Sequence, residues 1–542
     1  MNKIINKILF LNPPDPSVLK LGRQSGYAYF EPPLGLLYVY DYIKKRQDVG
    51  VLFVDLNIEM KFLTGDSLED ILKRYILEYQ PDMIAMATLY YQGIPVFHKM
   101  ASLIKKINPK IVLVFGGHYP HHLTAKCMED ELVDYIILSE GELGLSDLID
   151  AMNSNGQMSD IEGIVHREGN QVIRNPRKKF WDGYCDVKRL PWEDTHFKYY
   201  FREGRNLLYR LKDKHEWRPA SITASRGCPN ACTFCTSPSF WSRRWRKRHV
   251  ENIVYEIQYL KDNYDVNIII FNDENISVDK KWFEQLLDAL ATLDVSWLSS
   301  GGLSIRTLND ERIIKKMYAS KIAFFNLAAE SGSNEILKKI RKPLTVEETL
   351  NVVKLIRKNG SAFINAFFIT GFPFEDLKSV KNTLAFAETL DTDWKGFYCF
   401  KPLPGAALFD DCIEQRLIDG FSEGAGEFYF AQEFDHIDYS SKQLGDLSYM
   451  ANLKNNFINN RNLKQNTKES LAQAERDFRY VLDMVPDHVF ALLALAQIMK
   501  TRNLTEDCQQ LVQRAKKVLE KGSFQWRYYL ETLHVDMESY SQ

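Results

Sequence analysis

The sequence contains no apolar run that is long enough to cross a membrane. Its most apolar stretch, Val489 to Met499, falls short of the roughly 20 residues that a bilayer-spanning helix needs. The apolar start of the chain ends at Asn12-Pro13-Pro14, and neither the long apolar core nor the cleavage site of a signal peptide follows. We therefore expect a cytoplasmic protein without a membrane span.

An excess of positive charge is also missing. Lysine and arginine total 69 and aspartate and glutamate total 71, which gives a net charge of −2. Proteins dedicated to nucleic acids usually carry a basic surplus, so this balance argues against a nucleic acid as partner. The 542 residues are 45% hydrophobic and 13% aromatic, which suffices for about three globular domains.

Cysteines are few, and they are unevenly distributed. The chain has eight, and in a large cytoplasmic protein that number does not indicate a disulfide framework. Three of them, Cys228, Cys232 and Cys235, lie within one short segment, whereas the other five are scattered. This clustering is the first feature that indicates chemistry.

Strand and helix patterns alternate over the first 150 residues. Amphipathic helix patterns separate five apolar strand candidates, at 7–11, 51–54, 83–89, 111–115 and 135–138. Such alternation is typical of a buried parallel sheet. It predicts a flavodoxin-like, doubly wound α/β domain over residues 1–150.

The loops after the first, fourth and fifth strands are candidates for ligand binding. In a doubly wound fold, ligands bind beyond the carboxyl ends of the strands, and glycine lets a ligand approach the backbone closely. Tight turns are the alternative for any single loop, but the shared edge favours a ligand. The candidate binding residues are Asn12, Pro13, Gly116, Gly117, His118, Ser139, Glu140 and Gly141.

The rest of the chain divides into three parts. Residues 151–215 are irregular, apart from a hairpin pattern around Glu168-Gly169-Asn170, and are interpreted as a connector. Residues 216–425 contain six strand–helix units, which predict a partial (β/α)6 barrel with its chemistry at the carboxyl ends of the strands. Residues 426–542 are predicted to form a small α-helical domain, either an ordinary helical cap or at most one and a half tetratricopeptide-like repeats.

The clustered cysteines follow the first barrel strand, in the segment Ser225 to Cys235, with the spacing C-x3-C-x2-C. A zinc site normally has four ligands in two pairs, and no partner pair follows here. Three thiolates on one loop can instead bind three irons of a [4Fe–4S] cluster. The fourth iron is then open to a small-molecule ligand.

This motif, in this position, resembles that of the radical S-adenosylmethionine (radical SAM) enzymes. The likeness continues along the barrel, where five further segments match motifs of that superfamily, although Phe374 stands where the superfamily usually has glycine. The five segments are Trp241 to Arg248, Phe271 to Asn275, Glu330 to Ser333, Gly371 to Glu375 and Pro402 to Gly405.

The resemblance implies S-adenosylmethionine (SAM) as a second cofactor. Phe234 corresponds to an aromatic residue near the adenine, and Glu330 to a carboxylate that meets the ribose, with a salt bridge to a barrel lysine or arginine as its structural alternative. Ser331 and Gly371 belong to the same motifs and are likewise expected to bind SAM. An electron donor such as flavodoxin or ferredoxin would enable the cluster to cleave SAM, and the resulting 5′-deoxyadenosyl radical would attack an unidentified organic substrate.

The N-terminal domain resembles the cobalamin-binding domain of cobalamin-dependent radical SAM enzymes. That family includes methyltransferases and the anaerobic magnesium-protoporphyrin ester cyclase. The Asp-x-His-x-x-Gly signature of histidine-ligated cobalamin is absent from this chain. Cobalamin is therefore expected to bind without a protein imidazole, and its lower face to see water or an apolar side chain such as Leu89 or Tyr90.

Three functions are compatible with these resemblances. The first is a methyltransferase that acts on an unactivated carbon of a small molecule, lipid or peptide. The second is a radical cyclase or carbon–carbon coupling enzyme, with or without cobalamin. The third is a non-catalytic cofactor-binding protein that recruits a partner, and the intact cysteine motif argues against it.

Two other features have structural interpretations. The basic run from Arg243 to His249 could bind RNA phosphate, but it matches the family pattern and is interpreted as structural or cofactor-related. His118, His121 and His122 are close in sequence, yet no carboxylate–histidine spacing accompanies them, so they are interpreted as loop residues rather than metal ligands.

Overall fold

The computed structural model describes residues 4–21, 31–46, 48–88, 93–201, 208, 211–212, 216–421, 432–522 and 524–540. In these residues a seven-stranded sheet is followed by two three-stranded parallel sheets and then by helices. The predicted order of a doubly wound α/β domain, a second α/β unit and a helical C-terminal part is therefore confirmed.

Five parallel strands form the centre of the first sheet. They are β1 (Lys7–Asn12), β2 (Gly50–Asp55), β3 (Met83–Thr88), β4 (Val112–Gly117) and β5 (Tyr135–Ile137). Their order across the sheet, β2-β1-β3-β4-β5, is the flavodoxin-like order that the sequence predicts. Parallel strands are covered on both faces and are therefore nearly continuous in apolar residues, as in the fully buried run from Ile8 to Leu11.

A hairpin extends this sheet beyond β5. Its strands, β6 (Ile164–Glu168) and β7 (Gln171–Arg174), pair antiparallel with each other, and β6 also pairs antiparallel with β5. The hairpin predicted around Gly169 is present, and this glycine has a φ of +58° in the turn. Because the hairpin belongs to the first sheet, this part of the predicted connector is a component of the N-terminal domain.

Helices of the N-terminal domain pack in pairs. The longer ones span Leu34–Lys44, Leu68–Tyr79, Ile94–Ile107 and Gly141–Ser154. The first packs against the fourth and the second against the third. Short helices span Pro16–Leu21, Leu56–Ile58, His118–His122 and Thr124–Met128, with a π-helical turn at Glu59–Leu63. Single 3-10 turns follow at Met158–Asp160, Asp182–Asp186, Trp192–Asp194 and Phe197–Tyr199.

The second α/β unit is an open barrel. Its strands are β8 (Pro219–Ile222), β9 (Ser225–Arg226), β10 (Arg246–Lys247), β11 (Ile268–Phe271), β12 (Ser296–Ser299), β13 (Phe324–Glu330), β14 (Phe363–Thr370) and β15 (Trp394–Cys399). Two parallel sheets, β12-β11-β8 and β13-β14-β15, adjoin through a bridge between Trp297 and Ile322. β9 and β10 form a separate antiparallel ribbon. The six parallel strands are the partial (β/α)6 barrel that the sequence predicts.

Helices follow the barrel strands. They span Ser237–Phe240, Val250–Tyr264, Lys280–Leu290, Ile305–Leu308, Glu311–Ala319, Asn334–Lys339, Val346–Asn359, Leu377–Thr389 and Ala407–Glu414. Most begin after a short polar residue whose side chain accepts a free backbone N–H of the first turn. These capping residues are Asp279, Ser304, Asp310, Ser333, Thr345 and Asp376.

The C-terminal helices have a hydrophobic core of their own. They span Ser441–Leu453, Arg461–Gln465, Lys468–Met484, Val489–Thr501, Thr505–Glu520 and Phe524–Thr532, with a π-helical turn at Lys454–Ile458 and a 3-10 turn at Met537–Tyr540. Helix Val489–Thr501, the most apolar of the set, packs between its two neighbours. Among the residues that the structure describes, no helix is long and apolar enough to cross a membrane.

Two asparagines of the C-terminal helices complete the outer edge of β15. Asn456 accepts the N–H of Lys395 at 2.9 Å and donates to its carbonyl at 2.6 Å. Asn452 makes the same pair of bonds with Phe397, at 3.3 and 3.1 Å. Alternate residues of an edge strand direct their backbone groups away from the sheet, so the asparagines occupy the positions of a further strand.

We expect Asn456→Ala to destabilise the protein by about 2–4 kcal/mol, because it leaves the buried N–H and carbonyl of Lys395 without partners. Chemical denaturation followed by circular dichroism measures the change. Asn263→Ala, which removes an exposed amide from helix Val250–Tyr264, is the matched control and should change stability by less than about 0.5 kcal/mol. Equal stability of the two variants would contradict the role assigned to Asn456.

Candidate active site

A crevice of about 400 Å³ lies between the first sheet and the barrel. The loops after β1, β4 and β5 line one wall, and all eight residues predicted from the sequence are among them: Asn12, Pro13, Gly116, Gly117, His118, Ser139, Glu140 and Gly141. The barrel contributes the opposite wall, with Thr223, Ser225, Arg226, Phe240 and Trp241. The prediction that the three loops share one edge is confirmed.

The glycines after β4 leave the room that a bulky ligand needs. A Cβ atom at Gly116 would have no neighbour nearer than 3.9 Å, and those neighbours are the carbonyl oxygens of Met86 and Ile137. Gly117 has a φ of +93°, a conformation that glycine adopts without strain. The crevice therefore fits an extended group that passes the ends of β3, β4 and β5. Leu89 and Tyr90, predicted for the lower face of cobalamin, lie outside the described residues.

Ser139 and Gly141 form contacts within the protein. The hydroxyl of Ser139 donates to the carbonyl of Phe240 at 2.6 Å, and thus joins the first domain to the segment after the cysteine loop. A Cβ atom at Gly141 would lie 2.6 Å from a methyl group of Val39, so helix packing requires this glycine. Because the barrel carbonyl accepts the hydroxyl proton, Ser139 could bind a cofactor amide only as an acceptor, and its predicted cofactor contact stays a prediction.

The carboxylates of Glu140 and Glu142 face the barrel as well. Arg246 donates two hydrogen bonds to Glu140, each 2.8 Å long, and Nη1 of Arg226 lies 2.8 Å from an oxygen of each carboxylate. Burial alone would raise the pKa of Glu140, but the two guanidinium groups bring it below its ordinary value. Glu140 therefore lines the crevice and also forms ion pairs between the domains; its predicted contact with a cofactor stays a prediction.

Three histidines surround the ring of Phe240 at this interface. His118 stacks on that ring with centroids 4.2 Å apart, and Nδ1 of His121 accepts the backbone N–H of Ser139 at 3.1 Å. Burial lowers the pKa of His118 and His121 to about 4 and that of His122 to about 2, so all three are neutral at pH 7. In the described part of the chain, no three His, Cys, Asp or Glu side chains could hold a single metal ion. These contacts support the interpretation of the histidines as loop residues.

The three clustered cysteines lie on the loop after β9. Burial raises the pKa of Cys232 to about 12 and that of Cys235 to about 11, and the charges of neighbouring cysteines add to both shifts. Such thiols are protonated at neutral pH, so a metal centre that binds them displaces their protons. Three neighbouring thiols that form no single-ion site fit a multi-iron cluster, in which each thiolate binds a different iron.

Two buried carboxylates at the end of β11 hold the start of this loop. Asp273 accepts hydrogen bonds from the N–H and the hydroxyl of Ser225, and Glu274 accepts the N–H of Gly227 at 2.8 Å. Glu274 also accepts the indole N–H of Trp241 at 2.7 Å. Asp273 is buried, and burial raises the pKa of its carboxyl group to about 7. The acidic segment matched to a family motif thus positions the cysteine loop.

Gly227, directly before the first cysteine, is required by its surroundings. Its φ is +82°, and a Cβ atom there would lie 2.0 Å from the backbone oxygen of Arg244. Any other residue would force the cysteine loop away from the segment that follows it.

The tryptophan- and arginine-rich segment supports the site from outside. Arg243 donates to the carbonyl of Pro229 in the cysteine loop at 3.1 Å, and the indole of Trp245 donates to the carbonyl of Asn275 at 3.1 Å. Arg248 is fully buried and forms a 2.6 Å ion pair with Glu256. Because Trp245 and Arg248 bond inside the protein and the exposed Arg243 bonds to the cysteine loop, the structural interpretation of the basic run is favoured over RNA binding.

Glu330 ends β13 near the cysteine loop, and its charge raises the pKa of both Cys232 and Cys235. Its carboxylate forms a 2.7 Å ion pair with the buried ammonium group of Lys342. The φ of Glu330 is +62°, which is uncommon for a residue other than glycine and recurs at functional sites. Phe234 packs against Phe372, with ring centroids 5.9 Å apart. Of the four residues predicted to contact SAM, Phe234 therefore lies within the cysteine loop and Glu330 at the end of the neighbouring strand β13.

Ser331 and Gly371 have structural partners. The hydroxyl of Ser331 lies 3.0 Å from that of Thr383 and accepts the N–H of Ser333 at 3.1 Å, so it is buried behind the strand end. Gly371 has a φ of +84°, and a Cβ atom there would lie 2.2 Å from a methyl group of Leu444 in the C-terminal helices. Ser331 thus supports the loop after β13, and Gly371 contacts the helical domain; their predicted contacts with SAM stay predictions.

Sequence reasoning missed Lys342, Arg226 and Arg246. No local pattern marks Lys342 as the partner of Glu330, because the two belong to different loops. The arginines lie inside matched segments, but a motif does not distinguish a ligand contact from an ion pair with another domain. The available signal was the pair of carboxylates at Glu140 and Glu142, since buried carboxylates need cationic partners.

Two family models match the chain. The one described as the B12 binding domain matches residues 26–149, and the one described as the radical SAM superfamily matches residues 222–387. The first covers most of the parallel part of the first sheet, and the second covers the barrel from β8 to the helix after β14.

Curated relatives include methyltransferases and a magnesium-protoporphyrin ester cyclase. An uncharacterized methyltransferase of Pyrococcus horikoshii is 28% identical over 425 residues, which cover 76% of this chain and 84% of that protein. The cytidylyl-2-hydroxyethylphosphonate methyltransferase of Streptomyces wedmorensis is 25% identical over 426 residues, 71% of this chain and 79% of that protein.

A solved structure shares the fold over nearly the whole chain. The cobalamin-dependent S-adenosylmethionine radical enzyme OxsB aligns with a TM-score of 0.65 at 14% identity, over 95% of this chain and 84% of that one.

Both resemblances predicted from the sequence are therefore confirmed, and so are the cofactors that they imply: a [4Fe–4S] cluster, SAM and cobalamin. The described residues fit these groups. The three free thiols suit the cluster, and the crevice bordered by Gly116 and Gly117 suits cobalamin. With a B12-binding domain ahead of a radical SAM barrel, the chain belongs to the cobalamin-dependent radical SAM enzymes.

Proposed function

We propose that this enzyme is a C-methyltransferase that methylates an unactivated carbon of a small molecule, lipid or peptide. The crevice between the domains carries the proposal, because the loops of the B12-binding sheet and the segments flanking the cysteine loop line one space. The methyltransferases among its relatives support it.

When bound, the cluster supplies the electron that cleaves SAM, and cobalamin supplies the methyl group. The chain itself binds and orients the reactants: Cys228, Cys232 and Cys235 hold the cluster, and Phe234 and Glu330 contact SAM. Asn12, Pro13, Gly116, Gly117 and His118 would hold cobalamin along the crevice. The two walls of the crevice exclude water, which protects a radical from side reactions.

The domain limits and partners belong to the same proposal. Residues 1–150 and the hairpin β6–β7 form the cobalamin domain, residues 216–425 the barrel and residues 426–542 a helical cap. Flavodoxin or ferredoxin delivers the electron. The eight cysteines are all free, which supports a reducing compartment such as the cytoplasm.

Cobalamin-dependent formation of S-adenosylhomocysteine tests the proposal. Anaerobically purified protein with its iron–sulfur cluster is reduced with dithionite and incubated with SAM, with and without hydroxocobalamin. A methyltransferase forms S-adenosylhomocysteine alongside 5′-deoxyadenosine, and only the first product requires cobalamin. Formation of 5′-deoxyadenosine alone, whether or not cobalamin is present, would instead support the radical cyclase or carbon–carbon coupling enzyme. Formation of neither product would favour the non-catalytic protein.

Joint replacement of Cys228, Cys232 and Cys235 with alanine should abolish the visible charge-transfer absorbance of the cluster and its iron, about four atoms per chain. The iron is lost because no other described residues offer a set of thiolates. Cys508→Ala removes a buried cysteine of the C-terminal helices and should retain all of the iron. Iron that survives the triple replacement would contradict the assignment.

Glu330→Ala should weaken SAM binding by about 1.5–3 kcal/mol and leave the iron content unchanged, because a carboxylate accepts strong hydrogen bonds from both ribose hydroxyls. Calorimetric titration of the cluster-loaded protein with SAM measures the change. Lys342→Ala is the matched control, since it breaks the same ion pair but keeps the carboxylate. If both folded variants retain the SAM affinity of the wild type, the ion pair is the whole role of Glu330.

A further inference from the structure

A buried arginine, Arg226, joins the two predicted cofactor sites. Arg226 lies two residues before Cys228, and Glu140 and Glu142 lie on the loop after β5 that lines the cobalamin crevice. Nη1 of Arg226 is 2.8 Å from a carboxylate oxygen of each glutamate. We define these three residues together with Arg246, which binds Glu140 through two N–H groups, as the interdomain clamp.

The guanidinium group of Arg226 is fixed in orientation as well as in position. The rings of Tyr38 and Tyr184 lie on it, with their centroids 4.3 and 4.4 Å from its central carbon. Both tyrosine hydroxyls lie within hydrogen-bond distance of the hydroxyl of Thr223, at 2.9 and 3.1 Å. A planar cation held between two rings and two carboxylates has little freedom to rotate.

Few residues separate the clamp from the cysteines on one side and from the crevice loop on the other. On the barrel side, Gly227 alone separates Arg226 from the first cysteine, and its N–H is bound by Glu274. On the other side, Ser139 precedes Glu140 and is itself bonded to the carbonyl of Phe240. Each loop therefore has a second hydrogen bond, at the residue adjacent to its clamp residue. Two arginines face two glutamates here, and all four side chains are at most 10% exposed.

We propose that Arg226 is a positioning residue, which fixes the cysteine loop relative to the cobalamin crevice so that the two metal centres keep one separation. Arg226 contacts neither cluster nor cobalamin in this proposal and acts through the loops that hold them. The proposal rests on the binding of both cofactors to this chain.

The separation between the centres can be measured directly. In the reduced holoprotein, both the [4Fe–4S] cluster and Co(II) cobalamin carry an unpaired electron, and pulsed EPR reports the distribution of distances between the two. The wild type is expected to give one narrow distribution. Arg226→Lys keeps the charge but loses the planar fork, so its distribution should broaden or shift while iron and cobalamin contents stay complete.

A second variant removes the charges of the clamp together, with Arg226→Met, Arg246→Met, Glu140→Gln and Glu142→Gln. Removing both signs avoids an uncompensated buried charge, so this variant is expected to fold. Arg357→Lys is the matched control: it weakens a 2.6 Å buried ion pair with Asp393, which lies just before β15 at the opposite end of the barrel strands. Its distance distribution should equal that of the wild type.

Broadening or a shift in the clamp variants, but not in Arg357→Lys, supports the proposal. A distribution in Arg226→Lys that is as narrow as in the wild type, at the same mean, overturns it, whatever the fate of the fourfold variant. Failure of the wild type to bind cobalamin would contradict the proposed function, and it is recognised from the cobalamin content before any distance is measured.

Discussion

The segment that carries the three cysteines has almost no regular structure, and its geometry depends on two buried carboxylates. Asp273 and Glu274 lie just after β11 and accept the backbone N–H groups of Ser225 and Gly227. Hydrogen bonds to charged acceptors are stronger than neutral ones, and more so away from water. These bonds fix the cysteine loop relative to β11, although local sequence propensity does not define the conformation of that loop. Gly227 allows the loop to lie close to the backbone of Arg244.

Side-chain hydrogen bonds also determine the contact between the two domains. Polar side chains at the carboxyl edge of the first sheet are used to join the barrel: Ser139 bonds to Phe240, and Glu140 to the arginines of the clamp. The rest of the crevice wall combines Pro13, Gly116 and Gly117 with polar side chains such as Asn12 and His118, and most of its surface is apolar.

The sequence predicts the strands, the helices and the ligand-binding edge of the first sheet better than it predicts which groups each side chain contacts. Period and composition yield the strand order of the first sheet and the joint placement of Asn12, Gly116 and Ser139, because these depend on local patterns and on general rules of parallel sheets. Whether Glu140 or Ser331 turns to a ligand or to the protein depends on residues far away in the chain. A motif match contains no such information, so these assignments needed the structure.

The helical domain is part of the site rather than an appendage. It closes the edge of β15 through Asn456, and it also supports the loop after β14, where Leu444 packs on Gly371 and the hydroxyl of Tyr439 donates to the carbonyl of Glu375 at 2.8 Å. This outside support explains how Phe374 replaces the glycine usual in the related motif: its ring stacks with that of Phe372, with centroids 6.0 Å apart. A loop braced on its outer side by another domain does not need a second flexible residue to keep its course.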